Sequence, residues 1–234
     1  MADVGAYLAE LVARLRAQLG DALLAAWQVG SGALGDFDPA RSDIDVQAVS
    51  GTRLPREALA SVAAALSEVA CPVRGLEFVL YAREDLADAR FQLNLNTGPG
   101  MQHHEGYDPD AEERFWFVLD LAIARSNAAA LYGPEPVTVV PELPRSMLVA
   151  AHRRSLVWWA GHDGSQAIIA ACRAWAWALE DRWLSKGDAA AWAVARLDDP
   201  APVAKALARR ADPAEPPPSA AEVDAIVELV LAQI

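Results

Sequence analysis

The sequence predicts an α+β protein in which strands and helices share residues 1–143 and helices alone fill residues 144–234. Three observations carry this. Short apolar runs at 23–29, 44–50, 76–81 and 91–96 have strand length and end in turn residues. Segments with apolar residues at helical spacing lie between and after them. No strand pattern follows the run Pro134, Pro136, Pro141 and Pro144, which reads as a linker.

In chain order, Leu8, Leu11, Val12, Leu15 and Leu19 make 4–19 an amphipathic helix that should pack on a sheet. Leu23 to Val29 is a strand that stops at Gly30-Ser31, so backbone N–H groups of a small-residue turn can point at an anion, with a serine hydroxyl beside them. Asp43 and Asp45 follow at i and i+2, opening the strand that continues through Val46, Ala48 and Ser50. In a strand this spacing puts both carboxylates on one face. Two such carboxylates repel unless a divalent cation lies between them, and Mg²⁺ takes one or two carboxylates together with substrate phosphates. The segment from Gly30 to Val46 therefore predicts a site for Mg²⁺ and a nucleoside triphosphate.

Pro55 opens a helix through about Ala70, with Leu59, Val62, Ala63, Leu66 and Val69 on one face. Gly75 precedes the strand Leu76 to Tyr81, where Glu77 stands in otherwise apolar company. A carboxylate costs several kcal/mol to bury there unless it meets a partner or cation, on the order of a lost hydrogen bond or more. Asp43 and Asp45 on the neighbouring strand would share that cation; the other reading is an exposed edge residue. The strand 91–96 ends at Gly98-Pro99-Gly100, and a long loop with His103 and His104 runs to Pro109. These histidines read as loop or substrate-rim residues. Residues 112–131 predict a helix ending at Tyr132-Gly133-Pro134.

Helices are predicted beyond the linker at about 145–160, 164–183, 187–196, 201–211 and 220–233, the last opened by the capping-box pattern Ser219-Ala220-Ala221-Glu222. Asp163, Gln166, Ala170 and Arg173 fall on one helical stripe, with Lys186 in the following turn. Such a stripe either faces solvent or lines a cleft.

Composition narrows the function. A chain of 234 residues with 53% hydrophobic content can bury a sizeable core. No run has the length and apolarity of a membrane span, and Asp3 and Glu10 stand where a secretory signal would be basic, so a cytoplasmic protein is expected. Cys71 and Cys172 lack metal-type spacing and read as free thiols. The net charge of −12 argues against a long nucleic acid as substrate and favours a small cationic one.

Gly30-Ser31, Gly35 and Ser42-Asp43-Ile44-Asp45-Val46 resemble the signature of the nucleotidyltransferase superfamily related to DNA polymerase β. Glu77 in Gly75-Leu76-Glu77-Phe78-Val79 matches the glutamate of its aminoglycoside-modifying members. Asp163 through Leu197, with Arg173-Ala174-Trp175, Lys186 and Ala190-Ala191-Trp192-Ala193, resembles the C-terminal helical domain of streptomycin/spectinomycin adenylyltransferases. The resemblance implies a small mixed sheet with flanking helices, a helical bundle closing the active-site cleft, and transfer of AMP from MgATP to a hydroxyl of a small cationic acceptor. It assigns Asp43, Asp45 and Glu77 to metal, with Glu77 as the base. Gly30, Ser31, Ser42, Gln166, Arg173 and Lys186 would hold the nucleotide, and Glu77, Asn96 and Asp163 the acceptor. The family's tryptophan after the fourth strand is replaced by Asn96-Thr97-Gly98, and an acidic residue before Asp163 falls in a shortened loop. The expected state is a monomer. A protein acceptor, or a ligand-binding protein without turnover, are the alternatives.

Overall fold

Ile44, Val46 and Ala48 alternate with Asp45 and Gln47, and that parity decides which face of the sheet becomes core. The computed structural model describes residues 3–234, and the chain divides into two compact units, Met1–Leu143 and Pro144–Ile234. The first unit contains α1 (Val4–Leu19), β1 (Leu23–Gln28), α2 (Gly30–Leu34), β2 (Ile44–Ser50), α3 (Arg56–Ser67), β3 (Leu76–Ala82), β4 (Phe91–Thr97), β5 (His104–Gly106), α4 (Phe115–Asn127), β6 (Ala129–Tyr132) and α5 (Pro136–Val139).

The strands form one mixed sheet in the order β5-β4-β3-β2-β1-β6. Only β2 and β3, joined through α3, run parallel; every other pair is antiparallel. Ile44, Val46, Ala48, Leu76, Phe78, Leu80, Leu93 and Leu95 are buried in one cluster with Tyr7, Leu8, Leu11 and Leu15 of α1 and Leu59, Val62 and Leu66 of α3. Full burial of each large apolar side chain contributes about 1.5–3 kcal/mol, so this face anchors the sheet. The opposite parity, residues 45, 77 and 96, is left for polar chemistry.

Four departures from the sequence expectations concern this unit. The helix predicted over 112–131 stops at Asn127, and Ala129–Tyr132 instead pairs with β1 as an edge strand. Alanine favours a helix locally, but the open edge of β1 supplies backbone partners that the sequence pattern does not display. The loop after β4 contains the three-residue strand β5, whose pairing with β4 is likewise a tertiary choice. The Gly30-Ser31 turn is the start of the short helix α2, and the proline-rich linker holds the short helix α5.

The second unit contains α6 (Arg145–Ala160), α7 (Gly164–Glu180), α8 (Lys186–Val194), α9 (Ala201–Ala211) and α10 (Ala220–Leu231). α7 is central and packs against each of the other four. Ile168, Ile169, Cys172 and Trp175 of α7 are buried with Leu156, Val203, Val223 and Val227 from its neighbours. The Ser219–Glu222 capping box forms as expected. Cys71 and Cys172 are free thiols, and burial pushes the Cys172 thiol up to about 12. Among the described residues, no helix is long and apolar enough to cross a membrane.

Candidate active site

Because β2 and β3 are parallel and in register, Asp45 stands directly beside Glu77, and Glu77 beside Asn96 of β4. All three side chains belong to the face opposite the α1/α3 core. Asp45 and Asn96 are half-buried and Glu77 is exposed. Asp43, at the entrance to β2, is held by Arg74: Nη1 donates to Oδ2 at 3.1 Å, while Arg74 Nε donates to the Gly100 carbonyl at 3.2 Å. Arg74 thus ties the first carboxylate to the loop after β4.

The Gly30-Ser31 segment is built against the second carboxylate. Val29 N donates to the Asp45 carbonyl at 3.0 Å, which lays the end of β1 along the start of β2. Gly30 then takes φ +61°, and a Cβ there would lie 1.9 Å from Asp45 Oδ2. Only glycine combines that backbone conformation with so close an approach. Ser31 follows in the first turn of α2. Ser42 has a closing role in the intervening loop: its Oγ accepts from Asp38 N at 3.0 Å, and its own N donates to the Asp38 carbonyl at 2.7 Å.

The electrostatics of this cluster are those of crowded like charges. The Asp45 carboxyl is pushed well above the usual carboxylate range, first by burial and then by the negative charges of Glu77, Asp120 and Asp43. A side-chain interaction with Glu77 acts in the same direction. Asp120, from α4, is a fourth carboxylate that sequence reasoning missed. Its signal was present: an acid within the apolar run Phe115 to Ile123, the same anomaly that marked Glu77. Behind the carboxylates Gln47 and Tyr81 are buried, and neither Gln47 Oε1 nor Tyr81 Oη has a hydrogen-bond partner among the described residues.

Among the described residues, no set of three or more His, Cys, Asp or Glu side chains is gathered in metal-holding geometry. The donor chemistry of Asp43, Asp45 and Glu77 nevertheless fits Mg²⁺. All are hard oxygen donors, and the repulsion among them that pushes the Asp45 carboxyl up is what a divalent cation would relieve.

The remaining candidates lie in the second unit. Asp163 is the N-cap of α7, its Oδ1 accepting from Ser165 N at 2.9 Å and Gln166 N at 3.1 Å. That structural use accounts for an acid at this position without a ligand. Gln166 lies in the first turn of α7. Arg173, further along, donates from Nε to the Leu184 carbonyl at 3.1 Å, holding the segment that leads into α8. Lys186 is the first residue of α8, whose N-cap Ser185 accepts from Asp188 N at 3.1 Å.

Neither a family model nor a curated relative matches the chain. The fold is similar to the crystal structure of spectinomycin adenyltransferase AAD(9) from Enterococcus faecialis with ATP and spectinomycin, at a TM-score of 0.73 over 99% of each chain and with 14% sequence identity. At that identity the likeness is one of fold: a mixed sheet with flanking helices, followed by a helical part.

Proposed function

We propose that this chain transfers AMP from ATP to a hydroxyl of a small cationic acceptor, an aminoglycoside or aminocyclitol of the streptomycin/spectinomycin kind. The observation that carries the reading is the in-register pair Asp45 and Glu77 with Gly30 seated against Asp45 Oδ2. It sets a base, an acidic cluster and the start of a small-residue helix within one corner of the sheet. That the similar structure was crystallised with ATP and spectinomycin supports the choice of co-substrate and acceptor class.

In this mechanism Glu77, the exposed member of the pair, takes the proton of the acceptor hydroxyl as its oxygen attacks the α-phosphorus. The new O–P bond forms as the bond from the α-phosphorus to the bridging oxygen breaks, and pyrophosphate leaves with that electron pair. Gly30 and Ser31 hold the β and γ phosphates through backbone N–H groups and the serine hydroxyl. Asp43, Asp45 and Glu77 would hold Mg²⁺, which when bound screens phosphate charge. Asn96, in register beside Glu77, orients the acceptor.

Incubation with ATP, Mg²⁺ and a panel of aminoglycosides and aminocyclitols should yield acceptor heavier by one AMP, with stoichiometric pyrophosphate. ATP binding without any such product across the panel would count against the reading.

A further inference from the structure

Arg74, just ahead of β3, is clasped by the loop that follows β4. Its carbonyl accepts from Gly100 N at 2.8 Å, and its Nε donates back to the Gly100 carbonyl at 3.2 Å. The loop lies against it with no side chain between. A Cβ on Gly100 would come within 2.7 Å of Arg74 Cγ, and one on Gly98, where φ is +150°, within 2.9 Å of the Arg74 carbonyl oxygen and 2.4 Å of Gly75 Cα. Gly75 in turn meets the start of β2, its carbonyl accepting from Ile44 N at 2.8 Å. From this seat Arg74 Nη1 donates to Asp43 Oδ2 at 3.1 Å.

As an ion pair the contact adds little to stability. Half of the Arg74 side chain is exposed, and water screens pairs of that kind. Its effect is directional. The Asp43 side chain is only 14% exposed and its Oδ1 is buried, so the bond from Arg74 to Oδ2 fixes how the carboxylate is turned. A donor held in place from outside keeps a ligating carboxylate in the orientation that a metal needs.

We propose that Arg74 is a positioning residue for Asp43, and that the loop 98–101 sets its guanidinium, so that the loop after β4 governs how well the carboxylates hold a divalent cation. This rests on the transferase reading, in which Asp43 is a metal ligand and Asn96, on the strand that runs into this loop, orients the acceptor. The acceptor side and the metal side of the sheet then move as one unit. Charge alone predicts the opposite sign. A guanidinium repels a cation, so neutralising Arg74 would tighten metal binding by electrostatics, whereas loss of positioning weakens it.

The test is titration of Mn²⁺ alone into the full chain, read by the EPR signal of the unbound ion, with urea unfolding of each variant to give its folded fraction. R74M should bind Mn²⁺ about tenfold more weakly than wild type. R74K keeps the charge but lacks the fork that reaches both Asp43 and Gly100, and should be weakened as well. G100A displaces the Arg74 stem, so it should weaken binding by itself and add nothing in the R74M background. It also covers the case of an R74M variant that does not fold. Affinity in R74M, R74K or G100A equal to or tighter than wild type, additive losses in the double variant, or no Mn²⁺ binding by wild type overturns the proposal. The two readings fail separately. AMP transfer by wild type with unaltered Mn²⁺ affinity in R74M removes only the positioning role, whereas weaker Mn²⁺ binding in R74M with AMP transfer to no acceptor removes only the reaction.

Discussion

Gly30 lies so close to Asp45 that a single methyl on residue 30 would overlap the carboxylate, 1.9 Å from Oδ2. The two residues come from different strands' ends, and the contact makes the small-residue helix start and the carboxylate one object. G30A should therefore act twice, through strain at φ +61° and through displacement of Asp45. The expected cost is on the order of 1–3 kcal/mol in stability, with AMP transfer reduced much further than the folded fraction. Urea unfolding and initial rates on the same preparation separate the two effects.

Asp45 gives a prediction with a sign. Its carboxyl holds a proton to higher pH in the folded chain than in the unfolded one, so without metal the folded state loses stability as pH rises above the ordinary carboxylate value of about 4. D45N removes that penalty. The variant should be more stable than wild type at alkaline pH, converge with it in acid, and lose at least about a hundredfold in kcat. Added Mg²⁺ should raise the melting temperature of wild type but not of D45N. Equal pH profiles for the two proteins would contradict this account.

His152 sets an acid limit on the helical unit. Its ring lies against Trp177 and Trp183, with centroids 4.7 and 5.6 Å away, and Nε2 has no hydrogen-bond partner among the described residues. Burial, helped by Arg173, pushes its pKa down to about 3. A depressed histidine stabilises the fold fully above its ordinary value of about 6.5, and that contribution is lost as pH falls toward 3, at about 1.4 kcal/mol per pH unit. Wild type should thus lose about 2 kcal/mol between pH 7 and 5 from this residue. H152F, which keeps the ring stack, should flatten that part of the profile in denaturant titrations.

Asp163 can be assigned by two substitutions. D163A removes the α7 cap and should cost about 1 kcal/mol, whereas asparagine is an equally good cap and should cost little. If the acid also faces a cationic acceptor, D163N raises the acceptor KM with kcat and the KM for ATP unchanged. A silent D163N leaves Asp163 as a cap alone.

How much of this was legible in the chain depends on the range of the interaction. The strands carrying Asp45 and Glu77 announce themselves by period and by bounding glycines, and the capping box at Ser219 is a local pattern that forms as written. β6 and β5 are different: Ala129–Tyr132 and His104–Gly106 have no strand signature and exist because β1 and β4 present unpaired edges. Arg74 was missed for the same reason, and Asp120 because its local signal, an acid in an apolar run, does not tell which element it will meet. Each approaches the site from an element far away in sequence, Asp120 from α4 and Arg74 from the segment before β3.

By itself, the sequence determined the four longer strands, the main helices and the residue types of a carboxylate and glycine-serine cluster, because periodicity and turn chemistry act over a few residues. The tertiary structure alone decided the register that sets Asp45 beside Glu77, the fit of Gly30 against Asp45, and the clasp by which the loop after β4 holds Arg74 to Asp43. Pairing in a sheet is chosen by backbone partners brought from distant positions, and no local pattern encodes which edge a short strand will find.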